Sequence, residues 1–222
     1  MTAVIRSECA KLRANPVALG IGALAALVLV GGSAAAVLFG HVEPGSVLAA
    51  VVPFEMMPMV ALMVTEEYRT GTAWLSFVAT PRRWKVLLAK GALAAPVAFA
   101  AAVVASLVAT AGAAGLAVRC GLSGVLVAVL GLGVGAITRH GATAVALSLA
   151  WGAVLERLLS GLPEIGPVLA PFLPLANLRY FCTGDELGIA FHWPSGVGAV
   201  YVLVVAAALS GWGAWKTERT SP

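Results

Sequence analysis

The chain has 222 residues, of which 60% are hydrophobic and 11% charged, and its mean hydropathy is +0.97. This composition excludes a water-soluble domain and predicts an all-α integral membrane protein, because a helix of about 20 apolar residues crosses a bilayer. The net charge of +4 does not indicate nucleic-acid binding, since the basic residues gather at the ends of apolar segments.

The N-terminal residues 3–13 predict an amphipathic helix in the membrane interface, with Ile5, Cys9 and Leu12 on its apolar face. A disordered basic stub that only fixes the topology is the alternative. The apolar run 17–39 then predicts an uncleaved first span. It is longer than the apolar core of a usual signal peptide, which is the other interpretation of such a start.

Further apolar segments predict spans 2 to 6, at about 46–65, 91–116, 122–138, 141–160 and 196–215. Residues 119–121 predict an outer turn between spans 3 and 4, and 139–140 a short inner turn before span 5. We therefore expect six transmembrane helices in one membrane domain, 1–222. The chain has no G-x-x-x-x-G-K-[ST] phosphate loop, so an ATP-driven function would require a separate ATPase chain.

Residues 66–90 form a polar island between spans 2 and 3. Five of them are basic: Arg69, Arg82, Arg83, Lys85 and Lys90. Such a cluster predicts a cytoplasmic position, because Lys and Arg near span ends resist translocation. Gly71 breaks the first helical piece. Thr80 and Pro81 predict a new helix start, with Thr as the N-cap and Pro in the first position. Residues 66–80 are thus predicted to form a cytoplasmic loop with a short helix.

The polar island resembles the cytoplasmic loop of ABC-2 type exporter permeases. The resemblance is carried by Glu67-Tyr68-Arg69-Thr70-Gly71-Thr72, by Ala79-Thr80-Pro81-Arg82-Arg83-Trp84 and by Lys90. The start of the chain, Arg6-Ser7-Glu8 … Lys11-Leu12-Arg13, is similar to that of many such permeases from high-GC Gram-positive bacteria (actinobacterial-like members).

The resemblance implies the permease subunit of an ABC-type exporter in a bacterial plasma membrane, without a cofactor, metal or catalytic site of its own. It implies a separate ABC ATPase subunit and a second permease copy or paralogue as partners, within membrane lipid. The exported substrate would be amphipathic, or lipid-, peptide- or drug-like. The residues that it assigns to ATPase coupling are Glu66, Glu67, Arg69, Thr70, Gly71, Thr72 and Trp74.

The distribution of basic residues predicts that both termini are cytoplasmic. This topology places every Lys and Arg inside except Arg119, Arg157 and Arg179. It also places the Pro-rich segment 161–194 outside. Within that segment, 165–178 is apolar but too short and too often interrupted by proline to cross, which predicts a re-entrant piece packed against protein.

Two polar features lie inside predicted spans. Glu55 is deep in span 2, either on a translocation path or subunit seam, or as a packing residue hydrogen-bonded to a neighbouring helix. Glu156 and Arg157 predict interface residues whose side chains reach outward, with a functional pair as the alternative.

Small and sulfur-containing residues add further expectations. Gly131 and Gly135 predict close helix packing, more within one subunit than at a dedicated dimer face. Cys120 and Cys182 both fall outside, where oxidation is possible, and the sequence leaves a disulfide between them open. The three cysteines show no metal-binding spacing.

Two other classes of protein are compatible with six spans. One is a non-transporting membrane scaffold or sensor subunit. The other is a rhomboid-like intramembrane protease, because residues 121–124 read G-x-S-G and His192 precedes the last span. The protease is disfavoured, since the last span lacks the A-H-x-x-G run in which a rhomboid base would lie.

Overall fold

The computed structural model describes residues 2–14, 44–72, 84–110, 113–184 and 191–219, together with isolated positions between 27 and 35. All regular secondary structure in these ranges is helical. Four of the described helices, α3, α4, α5 and α8 as bounded below, are long and apolar enough to cross a membrane. The chain is therefore an all-α protein of membrane type.

The helices follow one another along the chain with short connections. They are α1 (Thr2–Ala14), α2 (Pro44–Arg69), α3 (Trp84–Ala109), α4 (Ala114–Thr138), α5 (Gly141–Ser160), α6 (Gly166–Leu169), α7 (Pro174–Thr183) and α8 (Ser195–Arg219). Within α5, a π-helical turn occupies Ala150–Leu155. A 3₁₀ turn, Ala170–Phe172, joins α6 to the segment before α7.

These bounds can be compared with the predicted spans. The predicted spans 141–160 and 196–215 coincide with α5 and with most of α8. The predicted span 46–65 lies within α2, which has 26 residues. Nearly all of the predicted first span, 17–39, lies outside the described residues.

The helix α4 lies at the centre of the molecule, packed against α2, α3 and α8. Its glycines allow this close packing. A Cβ on Gly131 would lie 2.6 Å from the Met57 carbonyl oxygen, and one on Gly135 would lie 2.8 Å from that of Ala61. Both neighbours belong to α2 of the same chain. The prediction that Gly131 and Gly135 mediate packing within one subunit is confirmed.

The predicted outer turn at 119–121 was wrong, because these residues lie inside α4. The helix α3 ends at Ala109 and α4 begins at Ala114. Gly121 suggested a turn, but it is where α4 meets α3: a Cβ there would lie 2.7 Å from a ring carbon of Phe99. Arg119 is exposed, and a long basic side chain on a helix can extend toward a polar region.

The Pro-rich segment contains the short helices α6 and α7. With 10 residues, α7 is roughly 15 Å long, well short of a bilayer. It packs against α2, α4 and α8, and it buries Leu175, Asn177 and Leu178. Asn177 donates from its side-chain amide to the Pro171 and Leu173 carbonyls, at 2.6 and 2.9 Å. The re-entrant position of this segment stays a prediction.

Candidate functional site

The end of α2 holds most of the residues that the resemblance assigned to coupling. Glu66, Glu67 and Arg69 lie in the last turns of the helix, and 70–72 follow as an exposed turn. Trp74 lies outside the described residues, with the rest of the predicted loop up to residue 80. The described part of the candidate site is therefore 66–72.

Gly71 ends α2 with a left-handed backbone, φ +67°. Its N–H donates to the Tyr68 carbonyl at 3.4 Å, and the N–H of Thr72 donates to the Glu67 carbonyl at 3.0 Å. These two bonds and the left-handed glycine form a Schellman C-cap, in which a residue with a Cβ would be strained. The hydroxyls of Thr70 and Thr72 lie 2.8 Å apart and tighten the turn. Helix termination alone thus explains the Thr-Gly-Thr sequence.

Glu66 and Arg69 form an ion pair on the solvent-facing side of this turn. Arg69 donates from Nε to Glu66 Oε2 at 3.0 Å and from Nη2 to Glu66 Oε1 at 2.6 Å. The Arg69 side chain is 66% exposed. Exposed pairs of this kind contribute about 0–1 kcal/mol to stability, so the pair matters more as surface chemistry than as a stabilising contact.

Glu67 faces the opposite way, into a charged cluster that consists of Glu8, Lys11, Glu67 and Lys90. Lys90 Nζ lies 3.1 Å from Glu67 Oε1 and 3.0 Å from Glu8 Oε2. Lys11 Nζ lies 2.9 Å from Glu67 Oε1 and 2.7 Å from Glu8 Oε1. Each lysine therefore bridges both carboxylates, and the four formal charges cancel.

Burial makes this cluster different from a surface ion pair. Glu8, Glu67 and Lys90 are all buried, whereas Lys11 closes the cluster from the solvent side. Burial by itself raises the pKa of Glu67, but Lys90 and Lys11 outweigh that effect and the pKa is lowered. Burial likewise lowers the pKa of Lys11, but its hydrogen bonds to Glu67 and Glu8 outweigh it and the pKa is raised. Each of these two groups is thus stabilised in its charged form.

The charged cluster joins three elements at one end of the molecule. Glu8 and Lys11 are one turn apart on α1, Glu67 is in the last turn of α2, and Lys90 is near the start of α3. Lys90 Nζ also donates to the carbonyl of Met63 at 3.3 Å, which ties α3 to the body of α2. A displacement of the end of α2 would therefore be transmitted to α1 and α3.

The ends of α4 and α8 meet α2 at the same place. The Arg139 guanidinium lies 5.8 Å from the centre of the Tyr68 ring, and Lys216 Nζ donates to the Ile137 carbonyl at 2.9 Å. Arg139 ends α4 with φ +56°, which is unusual for a residue with a side chain. Thr217 of α8 lines a small pocket together with Glu67, Tyr68 and Lys90.

Sequence reasoning missed the partners of Glu67. Lys90 was interpreted as one of several basic residues that fix the topology, and Glu8 and Lys11 as parts of an interfacial helix. The available signal was Glu8 itself, an acidic residue in an otherwise basic N-terminal stub. Its partner could not be identified, because Glu8 and Lys90 are distant in sequence and meet only in the folded chain.

Glu55 lies in α2, but its side chain is outside the described part of the structure. Its predicted place on a translocation path or subunit seam stays a prediction.

The predicted outward position of Glu156 was wrong. Its side chain is fully buried and accepts three hydrogen bonds: from Trp151 Nε1 at 2.7 Å, from the Leu175 N–H at 3.0 Å and from the Ala176 N–H at 2.9 Å. The first backbone N–H groups of a helix lack partners within the helix, and Glu156 supplies the acceptors for α7. Only Arg157 is exposed as predicted.

The serine of the G-x-S-G sequence lies inside α4, next to a cysteine. Ser123 Oγ is 3.1 Å from Cys182 Sγ, and both groups are buried. His192 is exposed. The hydrogen-bond neighbour that the structure gives to Ser123 is thus a thiol, whereas a Ser–His dyad requires an imidazole within reach.

Within the described ranges, no group of three or more His, Cys, Asp or Glu side chains is placed to hold a metal ion. A comparison of the chain with models of known protein families found no match, and neither did a search of curated proteins.

Proposed function

We propose that the chain is the permease subunit of an ABC-type exporter. A separate ATPase chain binds residues 66–72, and a second permease copy or a paralogue completes the membrane part. In this proposal the chain crosses a bacterial plasma membrane six times with both termini cytoplasmic, and the cargo is amphipathic, or lipid-, peptide- or drug-like. The basis is the resemblance of the polar island to ABC-2 permeases, together with the geometry at the end of α2.

The observation that carries the proposal is the opposite orientation of adjacent residues in that segment. Glu66 and Arg69 present charge to solvent, whereas Glu67 is buried in the charged cluster with α1 and α3. A segment that transmits force needs both an exposed contact surface and a rigid attachment. The Schellman cap at Gly71 fixes how the exposed turn leaves α2.

The mechanism follows from these attachments. When the ATPase subunits close on ATP, they displace the exposed turn that they hold. The turn cannot move independently of α2, and Glu67 transfers the displacement to α1 through Glu8 and Lys11 and to α3 through Lys90. Packed helices switch between discrete arrangements rather than deform continuously, so a local push becomes a rigid-body movement of spans.

The test is copurification of the chain with the ABC ATPase encoded beside its gene, followed by ATP hydrolysis in the reconstituted complex. Arg69→Glu reverses an exposed charge and breaks the pair with Glu66. We expect it to weaken ATPase binding by tenfold or more, since losing a charged hydrogen-bonded partner at an interface costs about 2–5 kcal/mol.

Arg219→Glu is the matched control, because Arg219 is also an exposed arginine, on α8, close to the same end of the molecule. This variant should copurify with the ATPase as the wild type does. Normal ATPase binding and hydrolysis by Arg69→Glu would refute the assignment of 66–72. If the wild type binds no ATPase and stimulates no ATP hydrolysis, the six-span scaffold or sensor becomes the better account.

A further inference from the structure

Two cysteines from distant parts of the chain meet where α7 packs on α4. Cys120 lies in the first half of α4, and Cys182 lies next to the end of α7. Both are buried, and their thiols interact by a side-chain hydrogen bond. Both cysteines are free in this structure.

The position of Ser123 independently supports this contact. Ser123 follows Cys120 by three residues, so the two side chains lie on the same face of α4. Ser123 Oγ is 3.1 Å from Cys182 Sγ. The end of α7 therefore lies over the face of α4 that carries Cys120.

The orientation of α7 is fixed by contacts that do not involve sulfur. The Glu156 carboxylate accepts from the N–H groups of Leu175 and Ala176 at the start of α7. The Asn177 side chain accepts from Trp193 Nε1 at 3.1 Å in addition to its two bonds to backbone carbonyls. These bonds hold α7 in register against its neighbours, so Cys182 is kept beside Cys120 without help from a covalent bond.

We propose that Cys120 and Cys182 are a disulfide-forming pair that joins α7 covalently to α4. The co-reactant is a disulfide, either of low molecular weight or in a thiol oxidase. The thiolate of one cysteine attacks a sulfur of the external disulfide, forming a mixed disulfide and releasing the first reduced thiol. The second cysteine, as its thiolate, then displaces the other half. Two protein thiols are oxidised to one disulfide, and the external disulfide is reduced to two thiols.

The pair lies far from the charged cluster, which explains why oxidation would be selective. Cys120 is roughly 28 Å along α4 from Arg139, the residue that contacts Tyr68 beside that cluster. The proposed function places the Arg139 end in the cytoplasm, and the inference rests on it to this extent: the pair then lies toward the oxidising side of the membrane. Cys9, on α1 with the charged cluster, would remain in the reducing compartment.

The bond would act on a helix that contacts most of the molecule. Because α7 packs against α2, α4 and α8, joining it to α4 fixes the relative position of these helices at that end. Reduction leaves the same packing held by hydrogen bonds alone. The pair is therefore a modification site that sets how freely the α7 end can rearrange.

The experiment uses the full-length chain in lipid nanodiscs, equilibrated with oxidised glutathione or with a reducing agent, then alkylated and digested for mass spectrometry. We expect oxidised glutathione to produce an internal disulfide linking the peptides of Cys120 and Cys182. Cys9 should form only a mixed disulfide with glutathione or remain reduced. Cys120→Ser and Cys182→Ser should each abolish the linked peptide, whereas Cys9→Ser should leave its yield unchanged.

Several outcomes would overturn the proposal. They are recovery of both cysteines as free thiols, separate glutathionylation of each, or linkage of either to Cys9. Chain denatured in detergent before oxidation controls for folding, and it should lose the preference for the 120–182 pairing. The readout needs no ATPase and no transport. Failure of the pairing would leave the exporter proposal standing, and failure of ATPase binding would leave the pairing standing.

Discussion

Adjacent residues at the end of α2 have different physical tasks. Glu67 is buried against two lysines, and Arg69 is exposed beside Glu66. Removing one member of a buried ionic cluster leaves the remaining charges uncompensated, which costs far more than losing a surface pair. Substitutions of Glu67 should therefore affect the fold, and substitutions of Arg69 should affect what binds the surface.

The contribution of Glu67 should depend on pH. Its pKa is lowered in the folded chain from an ordinary value of 4.5, so its stabilising effect is present above that value and is lost as the pH falls through the folded pKa. The pKa of Lys11 is raised from 10.5, so its effect is fully present below 10.5 and is lost as the pH rises through the folded pKa. At neutral pH both groups stabilise the cluster.

We therefore expect Glu67→Gln to lower the thermal unfolding temperature at pH 7, and the difference from the wild type to shrink steadily below about pH 4.5. Intrinsic tryptophan fluorescence in nanodiscs provides the measurement. Glu66→Gln, which alters the exposed pair, should shift the unfolding temperature much less. A gap between Glu67→Gln and wild type that is independent of pH would contradict an ionic role for Glu67.

Glu156 is a second buried carboxylate, and its partners are neutral donors. Glu156→Ala removes the acceptors for the N–H groups of Leu175 and Ala176 and for the indole of Trp151. Each buried donor left without a partner costs about 1–3 kcal/mol, so the variant should be strongly destabilised. Arg157→Ala, the exposed neighbour, should lie within about 0.5 kcal/mol of the wild type. Equal unfolding temperatures for the two variants would disprove the capping role.

At the scale of the helices, α4 depends on glycine for its packing. Replacing an interior helical glycine by alanine normally stabilises a helix by about 0.5–1 kcal/mol. At Gly131 the sign should reverse, because the new Cβ would lie 2.6 Å from the Met57 carbonyl oxygen and force α2 away from α4.

Gly211 in α8 is the matched control, since a Cβ there meets nothing within 4 Å. We expect Gly131→Ala to lower the unfolding temperature and Gly211→Ala to leave it unchanged or raise it. A Gly131→Ala chain as stable as Gly211→Ala would show that α2 and α4 do not pack closely in the membrane.

The extent of the helices could be predicted from sequence because it depends on local composition. The apolar run 141–160 corresponds to α5, and the run 196–215 to α8 up to the end of the apolar stretch. The α3–α4 turn was misplaced because Arg119 and Gly121 resemble turn residues when no neighbour is known. The distance from Gly121 to Phe99 belongs to tertiary packing, on which local composition carries no information.

The candidate site was only half predictable for the same reason. The Thr-Gly-Thr cap of α2 is encoded within a few residues, and Gly71 indicated a helix break. The inward orientation of Glu67 depends on Lys90 and Lys11, which are distant in sequence. Glu156 was misjudged because its partners are backbone N–H groups, which every residue except proline carries and which no sequence pattern marks.

At the scale of the whole molecule, the proposed topology makes one end cytoplasmic. The turn after α2, the end of α4 and the end of α8 lie together at that end, as shown by the contacts of Arg139 with Tyr68 and of Lys216 with Ile137. The start of α8, at Ser195, lies at the opposite end of a helix of 25 residues, roughly 37 Å away. One membrane orientation must therefore account for all of these positions.

Cysteine labelling in intact cells tests that orientation. In a chain whose native cysteines are replaced by serine, Thr72→Cys and Glu218→Cys should be protected from a membrane-impermeant maleimide, whereas Ser195→Cys should react. Both protected positions are exposed in the chain itself, so their protection requires the membrane rather than burial. Lysed cells, in which all three sites should be labelled, control for intrinsic reactivity. Labelling of Thr72→Cys in intact cells would place the 66–72 turn outside, where no ATPase could reach it, and would refute both the topology and the coupling role.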